Sequence, residues 1–131
     1  MTAPAGEGPV HAALAGDPVL AAHYAAFRAR ATGALDPALV ALIGQAVAAV
    51  HDMGTAPDEG GLDKGTRTCL AYARRMPFEH TAITDAEAAA VVAHLGEPGF
   101  VAFSVVTALA DAECRAALVD LPGLAQGLAG A

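Results

Sequence analysis

Apolar residues recur at helical spacing along most of the chain. Leu39, Leu42, Ile43, Ala46, Val47 and Val50 fall three and four positions apart and form a wide stripe on one helix face. Asp17-Pro18 and Asp36-Pro37 each set a side-chain acceptor before a proline, the pattern of an N-cap followed by the first helical position. The first pair predicts a helix over 17–32, ending at Thr32-Gly33, and the second a helix to Val50. From Met53 to Gly65 the periodicity collapses into Gly, Pro and Asp, which predicts a loop. A third helix resumes near Leu62 or Thr66 and ends at Met76, before Pro77. Thr84 and Glu87 stand three apart as a capping box and open a fourth helix to Leu95, stopped by Gly96. Glu97-Pro98 starts the last long helix, to Leu118 or Val119, and Pro122-Gly123 ends it.

The first half of that last helix, FVAFSVVTALA, is apolar all round and is expected to be the most buried element. Its β-branched run, Val101–Thr107, also fits a strand, but the flanks are alanine-rich and no partner strand is evident. The fold class that results is all-α, a small single-domain helical bundle of five helices. Residues 1–16, rich in Gly, Pro and Ala, read as a flexible N-terminal segment, 17–119 as the helical domain, and 120–131 as a C-terminal tail.

Composition narrows the partners. The 131 residues suffice for one domain with a core. The chain is 55% hydrophobic and 16% charged, with a mean hydropathy of +0.45, which argues against disorder. Much of that apolar content is alanine, which favours helix but buries little area. So apolar and lightly charged a chain is expected to hide surface in a homo-oligomer, with an alanine-coated monomer as the plainer alternative. The charge-free runs Pro37–Val50 and Pro98–Ala110 are too short to span a membrane, so no membrane partner is expected. A net charge of −7 with only seven Lys and Arg gives no basic footprint for nucleic acid. The N-terminus has no basic secretion-signal region, and a cytoplasmic location is expected. Cys69 and Cys114 form no CxxC or zinc spacing and read most simply as reduced, buried thiols.

The segments LDPALVALIGQAVAAV, LAYARRMPFEHTAITD, AHLGEPGFVAF and ALADAECRAAL together resemble the carboxymuconolactone decarboxylase and alkylhydroperoxidase D-like family over roughly residues 17–119. The resemblance implies an alkylhydroperoxidase D-like bundle assembled as a trimer or hexamer. Redox members carry a glutamate on the first of these helices, a CxxC and a histidine one turn later. Here the glutamate position falls on Ala41, the first cysteine near Met53, and the remainder on the glycine-rich loop GTAPDEGG. Peroxide reduction needs a thiolate with a resolving thiol beside it, so peroxidase activity is not expected.

The remaining chemistry lies in a few polar groups. His51-Asp52 ends the helix that would have carried the redox site, and Glu79-His80 lies between two helices. Each pair fits general acid–base work, and each also fits an ordinary exposed polar turn. Tyr72, Tyr24 and His23 are candidate substrate contacts, or else packing residues. His94 reads as a helix C-terminal contact. Lys64-Gly65-Thr66 has the wrong order for a P-loop. No metal and no cofactor are expected. The resulting expectation is a cofactor-independent enzyme, decarboxylase-, isomerase- or lyase-like, acting on a small organic acid or enolisable metabolite. The catalytic candidates are His51, Asp52, Glu79 and His80. The alternatives are a non-catalytic ligand-binding or assembly protein that kept the fold, and a helical partner protein.

Overall fold

The computed structural model describes residues 8–129, and every regular element among them is helical. The helices are α1 (Pro9–Ala13), α2 (Pro18–Gly33), α3 (Pro37–Val50), α4 (Lys64–Glu79), α5 (Asp85–Leu118) and α6 (Leu121–Ala129). A single 3-10 turn, His80–Ala82, joins α4 to α5. No strand forms at Val101–Thr107, which lies inside α5.

Most helix starts follow from side-chain caps. Asp17 accepts from the Leu20 N–H at 3.1 Å, Asp36 from Ala38 at 2.9 Å and Asp63 from Thr66 at 2.7 Å. Each satisfies a donor that the first helical turn leaves without an internal partner. Thr84 and Glu87 form the reciprocal capping box, and Glu87 is also paired to Arg75 of α4. That ion pair holds the Glu87 carboxyl below its usual range.

One helix runs past its expected stop, and another breaks where expected. Helix α4 continues through Pro77 to Glu79. A proline so near the end removes only one late hydrogen bond, and its ring is buried against the bundle. The stop at Gly96 is a kink between the two halves of α5, with φ 77° and ψ 169° at that glycine. This is backbone territory that essentially only glycine occupies.

Helices α3, α4 and α5 pack mutually and enclose the core. Ile43, Val47, Cys69, Leu70, Val91 and Phe103 are fully buried there. Burying a side chain such as Phe103 contributes roughly 1.5–3 kcal/mol. Tyr72 stacks edgewise on Phe100 and Phe103, with centroids at 5.8 and 5.6 Å. The apolar start of the second half of α5 is only partly interior. Phe103, Val106 and Thr107 are buried, but Val101 is 63% exposed. The helix has more apolar faces than its neighbours cover.

Among the described residues one helix, α5, is long and apolar enough to cross a membrane, with a hydropathy of 1.5 over 18 residues. Its two halves are separated by the non-helical Gly96.

The flanks hold structure as well. Helix α1 lies within the segment 1–16, and α6 within 120–131, and the two pack on each other and on α5. Glu113 of α5 holds α1 in place. It accepts from the Val10 N–H at 3.4 Å and the Tyr24 hydroxyl, and lies 3.6 Å from Arg28. Gly8 approaches the same carboxylate so closely that a Cβ there would stand 2.6 Å from an oxygen. Pro122-Gly123 begins α6 instead of ending α5. Asp120, at φ 49°, turns the chain out of α5 and accepts from the Gly123 N–H at 3.3 Å.

Candidate functional site

The site begins at the end of α3. His51 is the last residue before the helix turns out, and its N–H still bonds to Ala48 at 3.1 Å. Asp52 then takes φ 58°. The Asp52 N–H bonds to the Ala49 carbonyl at 3.0 Å, and the Met53 N–H to the Ala48 carbonyl at 2.9 Å. These two bonds are a Schellman closure, with Asp52 in the left-handed position that glycine commonly fills. The closure turns Asp52 out to solvent and leaves the imidazole of His51 inside, its side chain only 2% exposed.

Inside, His51 meets α5. Its Nε2 lies 2.6 Å from Oδ1 of Asp111. Asp111 also accepts from Nε of Arg115, one helical turn on, at 3.1 and 3.0 Å to its two oxygens. A carboxylate held by a guanidinium is an acceptor only, so the Nε2–H of His51 donates to it. The free imidazole nitrogen is then Nδ1, the basic one in that tautomer. Arg115 donates further, from Nη2 to the Pro77 carbonyl at 2.7 Å, near the C-terminal end of α4. Phe78 completes the cluster. Its ring meets that of His51 edgewise at 5.0 Å and lies 5.1 Å beneath the guanidinium carbon of Arg115. One residue of α3, two of α4 and two of α5 thus share a single hydrogen-bonded and stacked unit.

His51, Phe78 and Arg115 of this unit line a groove of about 730 Å³. Val10 of α1, Leu118 and Val119 at the end of α5, and Leu121 of α6 supply the opposite, apolar wall. The volume lies in the usual range for small-molecule sites, about 300–1,000 Å³, and so does the pairing of an apolar lining with a few polar groups.

Of the sequence-predicted catalytic residues, the structure brings only His51 to this groove. Asp52, Glu79 at the last position of α4 and His80 just after it are exposed and outside the groove lining. Asp111 takes the carboxylate position that proximity in sequence suggests for Asp52. Tyr72 belongs to the aromatic core cluster, His23 is exposed, and Tyr24 is engaged with Glu113. Burial, with its bond to Glu113, pushes the Tyr24 hydroxyl well above its ordinary pKa. His94 sits over the first turn of α4, where a Cβ on Gly65 would come within 2.1 Å of its ring.

The missing redox parts stay missing in space. Ala41 and Met53 are exposed, and the two cysteines are free and buried. Burial pushes the Cys69 thiol up to about 11 and raises that of Cys114, the reverse of what a nucleophilic thiolate needs. Among the described residues no three His, Cys, Asp or Glu side chains gather as a metal site.

Sequence reasoning passed over Asp111 and Arg115 as site members. Their signal is an Asp and an Arg one turn apart on a helix, in the favourable order for an ion pair. The chain matches no protein-family model, no curated protein and no solved structure.

Proposed function

We propose that the protein is a cofactor-independent acid–base enzyme acting on a small enolisable compound, on a scaffold related to the carboxymuconolactone decarboxylases. The observation that carries this reading is the His51–Asp111 hydrogen bond, 2.6 Å long, at the wall of an apolar groove. In this reading Nδ1 of His51 takes a proton from the carbon beside a substrate carbonyl. The electron pair moves onto the carbonyl oxygen as an enolate, and the imidazolium returns the proton at the same or a conjugated carbon. Asp111 fixes the tautomer and stabilises the imidazolium, as a buried carboxylate does behind a catalytic histidine. Phe78, edge-on to the imidazole at 5.0 Å, shields it from water. Exposed Phe27, Val101 and Val19 support the homo-oligomer that goes with this reading.

The test is exchange of carbon-bound hydrogen for deuterium, followed by NMR over a panel of 2-oxo and 3-oxo acids. The wild-type protein is expected to exchange at least one of them. His51→Gln should lose that exchange by a factor on the order of 10²–10⁴, the usual worth of a general base. Undiminished exchange in His51→Gln would remove the assignment.

The near-complete burial of the imidazole favours one other reading, a binding protein that kept the groove without turnover. In that case no member of the panel exchanges, and His51→Gln alters only ligand affinity.

A further inference from the structure

We infer that the groove takes a monocarboxylate with an apolar tail, its carboxylate bound by Arg115. This shares the groove of the proposed reaction but does not depend on any turnover there.

The case rests on how Arg115 is held. Its Nε is spent on Asp111, its Nη2 on the Pro77 carbonyl, and one face of the guanidinium on Phe78. Its Nη1 has no hydrogen-bond partner among the described residues, and the side chain remains 49% exposed as it lines the groove. The ordering cost of a long flexible side chain is therefore already met by the fold. A fixed guanidinium with one open nitrogen can donate to a carboxylate oxygen without further ordering, which a mobile lysine cannot.

The rest of the lining selects the tail. Among the described residues Arg115 is the only Lys or Arg in it, and the side chains of Val10, Leu118, Val119 and Leu121 offer hydrocarbon alone. A second anionic group on the ligand would find no cation there and would be buried unpaired, which is costly. The chain carries a net charge of −7, so a general surface attraction for anions does not explain such binding. The position of the α1 wall is set by Glu113, which grips Val10 through its backbone N–H. Arg115 and His51 both bond to Asp111 and both line the groove, so a ligand held by Arg115 would share that space with the imidazole.

Titration calorimetry with octanoate tests the assignment, with octanamide and acetate as the controls that lack the charge and the tail. Octanoate is expected to bind the wild-type protein at least tenfold more tightly than either. Arg115→Gln should bring octanoate down to the level of octanamide, and Arg115→Lys should recover part of the loss. Ala112→Phe fills the groove without touching the polar unit, and should abolish octanoate binding while leaving the circular-dichroism melting curve in place. Equal binding of octanamide, unchanged binding in Ala112→Phe, or no binding of octanoate at millimolar concentration would each overturn the inference. Octanoate binding as expected, with deuterium exchange unaffected by His51→Gln, sinks the proposed reaction and leaves this ligand class standing.

Discussion

Asp52 shows how a residue can stand beside a site in sequence and serve it only through the backbone. Its left-handed conformation costs an L-residue roughly 1–2 kcal/mol, which asparagine and aspartate tolerate better than most. Asp52→Gly relieves that strain, partly offset by the greater freedom of glycine in the unfolded chain. The expected result is a stability unchanged or raised by about 0.5 kcal/mol in urea unfolding, with ligand binding and exchange intact. A loss of exchange in Asp52→Gly would return Asp52 to the chemistry. Asp111→Asn is the contrasting case. It keeps the shape but weakens the acceptor for both His51 and Arg115, so it should impair exchange and binding together.

At the scale of elements, the break in α5 is the feature most open to test. Gly96 holds a φ and ψ that nearly every other residue avoids. Gly96→Ala is expected to cost about 1–3 kcal/mol in chemical denaturation, as backbone strain of this kind does. Wild-type stability in the Gly96→Ala variant would mean that the two halves of α5 straighten freely. The kink was legible in the sequence, because Gly96 precedes Glu97-Pro98. So were the starts of α2, α3 and α5, where Asp-Pro pairs and the Thr84–Glu87 box state the cap locally. The Asp63 cap lay hidden in a run of turn residues. Helices α1 and α6 were illegible for another reason: they are short and alanine- and glycine-rich, and they persist by packing on each other. The site was half legible. His51 stands out at the end of an apolar helix, but Asp111 is 60 residues away, and only the packing of α3 on α5 makes them partners.

The stability of the whole molecule should follow its titrating groups. Asp63 is held below its ordinary value, 3.8, chiefly by the Thr66 N–H, and Glu87 below 4.5, chiefly by Arg75. Lowered folded values stabilise above the ordinary ones, and that contribution is withdrawn as pH falls through the folded values. Tyr24 and Cys69 are shifted the other way, first by burial. Their contribution is complete below the ordinary values, 10.0 and 9.0, and for Cys69 it is lost between 9.0 and about 11. Thermal midpoints are therefore expected to be level between pH 4.5 and 9.0 and to fall on both sides. Glu87→Gln should flatten the acid limb, and Cys69→Ala the lower part of the alkaline limb. A midpoint that climbs above pH 9 would contradict the burial of these two groups.

The meeting of α1 and α6 has a practical consequence. One wall of the groove is assembled from the two outermost described helices, brought side by side over α5. A bulky fusion partner that pushes either helix aside would close or distort the groove. A chain carrying a bulky appendage could therefore look inert in a ligand screen although its interior is sound. Removing appendages from both ends before screening separates a blocked entrance from a groove with no ligand.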